Sequence, residues 1–302
     1  MKKAVVFLNM GGARDKKELK EFLFNMFMDK RIISSPVRYF LAPFMKIFRA
    51  NSAWKNYEKI GGSNIYKYTE SLIKKVQDLL GLDIDIYYAM KYTKPTISDI
   101  FEDKKYDEVM FFALYPQGSS TTTLSSYDDV DLFFKNKKTK IIKIDYFFED
   151  EDFNKTIINS IKQKYKPNTH LIFSAHGLPV SIAKKDVYEK HINSHIDILK
   201  NMLKKENLKF NDISLAYQSK IGPVEWLKPA LNETLKEFKK DDRVLIYPIS
   251  FVIDNSETDF ELCIEYKHLA DEIGFFYDVC KPQNDSDEFA KYLCEKIKKS
   301  WN

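Results

Sequence analysis

Short apolar runs alternate with amphipathic stretches along almost the whole chain, and this alternation constrains the fold more than any other feature. The runs have the length and the β-branched and aromatic content of buried strands. Because strands that alternate with helices usually form a parallel sheet, the pattern predicts an α/β protein. The predicted strands cover residues 4–9, 84–89, 108–114, 140–144, 170–175, 213–217, 243–247 and 275–279.

Amphipathic helices are predicted between these strands, over residues 15–30, 66–80, 152–165, 185–206, 226–239, 257–273 and 285–299. Eight strands would also suit a closed barrel. However, polar residues follow the strands in two sets, one in each half of the chain. We therefore expect two Rossmann-like, doubly wound domains whose parallel sheets face a central cleft. The first would span residues 1–147 with 281–302, and the second 148–280.

Composition narrows the classes of function. The 302 residues are 44% apolar and 15% aromatic, which suffices for two cores and leaves rings to line a pocket for a flat ligand. A net charge of only +4 with scattered lysines argues against a dedicated nucleic-acid binder. Three cysteines without C-x-x-C spacing argue against a disulfide scaffold or a cysteine-held metal, and favour the cytoplasm. No apolar run approaches the roughly 20 residues of a membrane span.

One histidine stands at a predicted strand end, in Ser174-Ala175-His176-Gly177-Leu178-Pro179. Open α/β sheets bind their ligands at the carboxyl ends of strands. Imidazole is also the side chain best suited to accept a proton near neutral pH. His176 is therefore a candidate catalytic residue, although a structural, hydrogen-bonded histidine would fit the same position. His191 and His195 have i, i+4 spacing, and we expect them on an exposed helix face.

Three glutamates follow the seventh predicted strand at four-residue intervals: Glu257, Glu261 and Glu265. On an α-helix they would form one stripe, with Ser256 and Asp259 as a capping box at its start. Like charges at this spacing repel, and a divalent metal would offset the repulsion. A solvated acidic face near a helix N-terminus is the alternative.

The segment 39–49 is apolar and aromatic, contains Pro43 and ends at Arg49. It fits either an interrupted core helix or an exposed lip that contacts a membrane surface or a large apolar ligand. The glycines Gly11 and Gly12 make a poor dinucleotide fingerprint, because the third glycine of G-x-G-x-x-G is missing. No phosphate-binding loop is present either, which counts against a nucleotide-linked enzyme.

These segments, taken in order, resemble ferrochelatases, the family that inserts ferrous iron into porphyrins. The resemblance spans nearly the whole chain. It consists of Leu8-Asn9-Met10-Gly11-Gly12, Leu41-Ala42-Pro43-Phe44 with Tyr57 and Ile60-Gly61-Gly62-Ser63, Ala89-Met90-Lys91-Tyr92 with Pro95, Leu114-Tyr115-Pro116-Gln117 with Ser119, the His176 motif, Gln218-Ser219-Lys220-Ile221-Gly222-Pro223 with Trp226, and Phe251 to Asp254 with Glu257-Thr258.

The resemblance implies a lyase that inserts Fe²⁺ into protoporphyrin IX in haem biosynthesis, with release of two protons. His176 and Glu257 would be the catalytic and metal-binding pair, and Glu261 and Glu265 would continue the metal path. Iron would be a substrate, with no permanently bound cofactor and no iron–sulfur cluster. The residues implied in porphyrin binding are Met10, Arg49, Tyr57, Lys91, Ser119 and Trp226.

Two departures from the family pattern bear on these roles. Lys91 stands where the family usually has Arg, so bidentate hydrogen bonding to a propionate is not expected. Asn255 replaces a usual His, which removes one possible proton carrier. The alternatives are a chelatase for coproporphyrin or another tetrapyrrole, and a non-catalytic haem or metal carrier. Peripheral membrane contact through residues 39–49 is also expected, with no membrane-spanning segment.

Overall fold

The computed structural model describes residues 1–220 and 222–301; Ile221 of the Gln218–Pro223 motif and Asn302 of the first predicted domain lie outside the described residues. Within that range, eight strands form two four-stranded parallel sheets rather than one barrel. Two compact units result. Met1–Tyr146 and the residues from Asp285 onward form the first unit, and Phe147–Asn284 form the second.

The first unit has the strand order β2-β1-β3-β4. Its strands are β1 (Lys3–Asn9), β2 (Ile84–Met90), β3 (Glu108–Ala113) and β4 (Lys140–Ile144). Strand β1 lies inside the sheet because its run Ala4-Val5-Val6-Phe7-Leu8 is apolar on both faces, and all five residues are buried. The sequence predicted this strand from the same run.

Helices cover the first sheet. They are α1 (Lys16–Met28), α2 (Arg38–Lys59), α3 (Ile65–Leu80), α4 (Ile97–Phe101), a short π-helix, π1 (Ser120–Leu124), that continues into α5 (Ser125–Phe134), and α11 (Asp287–Trp301). The last helix packs on α3, where Ser71 and Lys75 bond Asp285 and Asp287. One core cluster joins β1 and β3 to α4 and α5 around Phe101 and Phe111.

The second unit repeats the order, as β6-β5-β7-β8. Its strands are β5 (His170–His176), β6 (Asp212–Gln218), β7 (Arg243–Pro248) and β8 (Phe276–Val279). Its helices are α6 (Glu151–Lys164), α7 (Val180–Ala183), α8 (Tyr188–Lys205), α9 (Leu231–Leu235), a second π-helix, π2 (Glu257–Glu265), and α10 (Tyr266–Ile273). In this strand order, the direction in which successive strands are added reverses between β5 and β7. Doubly wound sheets bind ligands beyond the carboxyl ends of their strands at such a reversal.

The helix prediction over residues 226–239 was wrong, and of the two alternatives for segment 39–49 the interrupted core helix is not observed. The helix expected over residues 226–239 is reduced to α9, which begins only after Pro229 and ends at Leu235; Pro229 lacks an amide hydrogen and its ring restricts the preceding residue, which accounts for the late start. Trp226 instead pairs with Pro179 in an isolated β-bridge. Pro43 does not interrupt α2, which runs unbroken through it. The carbonyl that Pro43 leaves unpaired belongs to Tyr39, an exposed residue, so water can satisfy it.

Candidate active site

His176 is the last residue of β5, beside the ends of β6 and β7. Hydrogen bonds fix its backbone on both sides. The His176 amide donates to Ser250 Oγ at 3.2 Å, and Tyr188 Oη donates to the His176 carbonyl at 3.0 Å. Tyr188 and Ser250 also bond each other at 2.6 Å. The strand end that carries the imidazole is therefore held by residues from α8 and from the loop after β7.

Gly177 lets the chain turn closely over the end of β6. Its amide donates to the Gln218 carbonyl at 2.9 Å. A Cβ at Gly177 would lie 2.8 Å from that same oxygen and 3.4 Å from the indole of Trp226. No residue with a side chain fits there without a shift, which explains why glycine follows the histidine. The same contact places Trp226, a predicted porphyrin residue, beside the His176 turn.

The ring of His176 is half-buried, and its Nδ1 is fully buried with no hydrogen-bond partner among the described residues. The ring meets Phe251 edge-on, with centroids 6.1 Å apart. On the neighbouring strand, Gln218 is register-paired with His176, and its Nε2 is also buried without a described partner. Buried polar atoms without partners are costly and often mark functional sites. Two of them at one strand edge indicate a site that can take a polar ligand.

The loop after β7 delivers Glu257 through a cap that the sequence prediction assigned to the wrong residue. Asn255, not Ser256, caps the helix: its Oδ1 accepts from the amides of Glu257 at 3.0 Å and Thr258 at 3.2 Å. Ser256 Oγ instead donates to Glu257 Oε2 at 2.7 Å. Asn255 therefore has a structural role that an amide performs well, because asparagine is a strong helix cap.

The three glutamates do not lie on an α-helix as predicted. Residues 257–265 form π2, whose i→i+5 hydrogen bonds give a wider turn, and regular α-helix resumes at Tyr266. Residues four apart still return to a similar face. They differ in exposure, however: Glu257 and Glu261 are half-buried, and Glu265 is exposed.

Glu261 is the most strongly held of the three. Its Oε1 accepts from the Ser219 amide at 2.8 Å and from Tyr266 Oη at 2.9 Å, and its Oε2 accepts from Ser219 Oγ. Burial raises the pKa of Glu261, the donors from Ser219 and Tyr266 lower it, and the charge of Glu257 raises it; the net shift is upward.

Hydrogen-bond donors on Glu261 thus offset part of the predicted repulsion along the stripe. Among the residues that the structure describes, no group of three or more His, Cys, Asp or Glu side chains is arranged to hold a metal ion. The contacts that join the candidate residues run along the sheet edge. His176 pairs in register with Gln218, Ser219 follows directly, and Ser219 binds Glu261.

The predicted porphyrin residues of the first unit lie in different surroundings. Met10 follows β1, half-buried against the cluster around Leu19 and Phe22. Gly11, at φ +93°, turns the chain next to it, and a Cβ there would lie 2.2 Å from Thr93 Oγ1. Tyr57 is buried in the same cluster and stacks on Trp54 with centroids 6.2 Å apart.

Lys91 forms an ion pair, with Nζ 2.7 Å from Asp129 Oδ1, and only 14% of its side chain is exposed. It lines a cavity of about 720 Å³ together with Arg38, Tyr39, Tyr92, Asp29 and Asp128, among others. A propionate would have to compete with Asp129 for the ammonium group. The lysine is accessible from the cavity but already has an anionic partner.

Ser119 and Arg49 occupy opposite environments. Ser119 is buried, and its Oγ accepts from the Thr121 amide at 3.2 Å, so it caps the turn that begins π1. Arg49 is exposed on α2. The face of α2 around it carries exposed apolar side chains, with Phe40 81% and Phe48 64% exposed and the rings of Phe44 and Phe48 stacked at 4.4 Å. Segment 39–49 is thus an exposed helical lip.

The expectation of an exposed helix face was wrong for His195, and His191 is only half-buried. His195 has no exposed surface, and its Nε2 lies 2.7 Å from Asn154 Oδ1. Burial lowers its pKa to about 3. It is a neutral core residue, because the helix places it against Phe148 and Phe153.

Comparison with known proteins decides the family. The ferrochelatase family model matches residues 2–301. The chain belongs to the ferrochelatase family. A ferrochelatase of Campylobacter fetus subsp. fetus (strain 82-40) is 46% identical over 312 residues, covering 99% of each chain. A ferrochelatase of Campylobacter concisus (strain 13826) is 45% identical over 314 residues, covering 99% of this chain and 98% of the relative.

A solved structure, SirB from Bacillus subtilis, shares the fold with a TM-score of 0.60 at 12% identity, covering 99% of this chain and 96% of that one. The predicted α/β fold with parallel sheets, the ferrochelatase resemblance and the lyase class are therefore confirmed. Over the described residues, no helix is both long and apolar enough to cross a membrane.

The ferrochelatase motifs indicated His176, Glu257 and Glu261 as candidates, but not the residues that hydrogen-bond to His176 and Glu261. Tyr188, Ser250 and Ser219 were missed as site residues. Tyr188 and Ser250 act through the backbone of His176, and a hydrogen bond to a backbone leaves no sequence pattern. Ser219 lay inside a quoted motif, and its left-handed φ of +67° is visible only in the structure.

Proposed function

We propose that this ferrochelatase-family protein inserts Fe²⁺ into protoporphyrin IX to form protohaem and release two protons. The observation that carries the proposal is His176, whose buried Nδ1 has no described protein partner at the ligand-binding edge of the second sheet. Family membership along residues 2–301 supports the same reaction.

Insertion of iron must remove two protons from pyrrole nitrogens and strip water from Fe²⁺. A neutral imidazole nitrogen can accept a proton or bind the metal, and we propose the half-buried ring of His176 for either role. The backbone bonds from Tyr188 and Ser250 keep the ring in place, so little reorganisation is needed during the reaction. Glu257 supplies the carboxylate that would balance the charge of the incoming cation or take up a proton.

The proposed path for iron or protons follows the glutamates outward. Glu265 is exposed and would meet hydrated metal first, and Glu261 and Glu257 are progressively nearer the start of π2. Carboxylate oxygens are good ligands for divalent iron still carrying water. We propose that these groups bind metal weakly and pass it along, rather than holding it as a permanent cofactor.

Porphyrin contacts are proposed for the six residues that the family motifs indicate. Met10, Tyr57 and Trp226 would contact the faces of the macrocycle and help to bend it, which exposes the nitrogen lone pairs. Arg49 and Lys91 would meet propionates, Lys91 by exchanging Asp129 for the propionate. Ser119 would act by holding the first turn of π1, since its hydroxyl already accepts the Thr121 amide.

The exposed lip on α2 supports peripheral membrane contact from the cytoplasmic side. Phe40 and Phe48 lie open to solvent, and such apolar patches commonly contact membranes or partners. Replacing both with Ser should reduce sedimentation with anionic vesicles, whereas Leu82→Ser, at a residue outside the lip that is 92% exposed, should not. Equal binding by both variants would refute the lip as the contact.

Anaerobic metallation assays test the reaction itself. Purified protein, protoporphyrin IX and Fe²⁺ or Zn²⁺ should shift the Soret band at a rate proportional to protein concentration. Coproporphyrin in the same assay tests the alternative substrate, and a higher kcat/KM for it would replace protoporphyrin in the proposal. His176→Ala should abolish turnover. A variant that metallates at the wild-type rate would refute the role of His176, whereas wild-type protein that binds porphyrin without metallating it would favour a carrier that only binds.

A further inference from the structure

We infer that Ser219 is a positioning residue for metal use, acting through Glu261. This inference rests on the proposed metal path and adds to it a residue that the family motifs did not assign to the site. Ser219 directly follows β6, while Glu261 lies 42 residues further along the chain in π2. Their contact joins the sheet edge that carries His176 to the helix that carries the glutamates.

Ser219 forms two hydrogen bonds with the Glu261 carboxylate. The Ser219 amide donates to Oε1 of Glu261 at 2.8 Å, and its hydroxyl donates to Oε2. Tyr266 Oη, just beyond the end of π2, adds a third bond to Oε1 at 2.9 Å. A carboxylate offers about four acceptor positions, so the described residues leave roughly one, on Oε2. Glu261 is therefore oriented to offer a single oxygen position to a cation.

The backbone of Ser219 shows that this contact is maintained against a local cost. Its φ is +67°, in the left-handed region that non-glycine residues avoid. The other non-glycine residues with positive φ in residues 1–220 and 222–301 are Asn or Asp, which tolerate this region better: Asn168, Asn207, Asp241 and Asn284. Glycine would relieve the strain but could not supply the hydroxyl, and serine is present.

The strain and the hydroxyl can be separated with two substitutions. Ser219→Gly removes the hydroxyl and relieves the backbone, whereas Ser219→Ala removes the hydroxyl and keeps the strain. If the hydroxyl positions Glu261, both variants should raise the KM for Zn²⁺ or Fe²⁺ about tenfold or more, with the porphyrin KM unchanged. Asn168→Gly, at an exposed left-handed residue, is the control and should keep wild-type kinetics.

A double-mutant cycle tests whether Ser219 acts through Glu261. Ser219→Gly combined with Glu261→Gln should be no worse in metal KM than Glu261→Gln alone. Independent, multiplying effects would overturn the inference, as would a wild-type metal KM in Ser219→Gly. Tyr266→Phe should also raise the metal KM. An unchanged metal KM in this variant would show that the bond from Tyr266 does not help to position Glu261.

The failure of this inference can be told apart from the failure of the proposed function. Wild-type protein that metallates no porphyrin would refute the function. Calorimetric titration of porphyrin-free protein with Zn²⁺ reads the metal path without turnover. Weaker Zn²⁺ binding by Ser219→Gly than by wild type supports the inference. Equal binding, or no binding by the wild type, overturns it even if metallation proceeds.

Discussion

Replacing Gly177 with alanine tests whether the close packing of two strand ends sets the position of His176. The added Cβ would lie 2.8 Å from the Gln218 carbonyl oxygen, whereas ordinary contact begins at 3.4 Å. The two atoms must therefore separate by 3.4 − 2.8, or about 0.6 Å. The obstacle is a backbone atom of β6, which cannot rotate away as a side chain would.

Two costs follow from that shift. Overpacking of this kind typically lowers the free energy of unfolding by about 1–3 kcal/mol. Weakening the bond from the Gly177 amide to Gln218 adds about 1 kcal/mol. We expect a total loss of about 2–4 kcal/mol, measured by urea unfolding. Displacement of a catalytic group by about 1 Å can cost about 100-fold in rate, so we expect kcat to fall about 10-fold to 100-fold.

Gly81→Ala separates lost stability from lost geometry. Gly81 ends α3 at φ +83°, and its Cβ would meet nothing within 4 Å. With ψ −173°, the Gly81 backbone is in a region that is essentially restricted to glycine, so strain alone should cost about 1–3 kcal/mol there. Both variants are assayed at a temperature where each is folded. The reasoning is refuted if Gly177→Ala keeps the wild-type kcat, or if Gly81→Ala loses kcat to the same extent.

Three further substitutions probe other parts of the structure. Asn255→Ala removes the oxygen that caps π2 and should lower the free energy of unfolding by about 1–2 kcal/mol, whereas Asn255→Asp should retain most of it; equal losses would contradict the cap. His195 has a folded pKa of about 3 against about 6.5 when unfolded, so only the unfolded chain gains a proton as pH falls through this window. Between pH 7.5 and pH 5 this should remove about 2 kcal/mol of stability, a loss that denaturation of His195→Gln should lack. Asp129→Asn frees Lys91 and should lower the porphyrin KM roughly 2-fold to 5-fold in steady-state assays, and an unchanged KM would argue against Lys91 as a propionate contact.

The sequence predicted the inner strands well because parallel strands that are buried on both faces are nearly continuous apolar runs. Ala4-Val5-Val6-Phe7-Leu8 is the clearest case, and β1 forms where it was expected. The predicted helix over residues 226–239 was too long because the amphipathic spacing continues across Pro229, where a regular helix does not. Proline should have ended that prediction, since it cannot donate the helical hydrogen bond.

The π-helix could not have been predicted from the glutamates alone. Glu257, Glu261 and Glu265 return to a similar face at four-residue steps in both kinds of helix, so the pattern does not distinguish them. Competing capping residues are adjacent in Asp254-Asn255-Ser256, and only the structure shows that Asn255 accepts the amides. The bond from Ser219 to Glu261 depends on the tertiary fold, which no local pattern records.

The most direct test of iron insertion at the His176 edge is a single-turnover comparison of Glu257→Gln with the wild type. The substitution preserves shape and removes charge, so protoporphyrin should still bind, as followed by its fluorescence. Mixed without oxygen with Fe²⁺, the wild type should convert bound porphyrin to haem, and the variant should not. Haem formation by the variant at the wild-type rate would contradict the account.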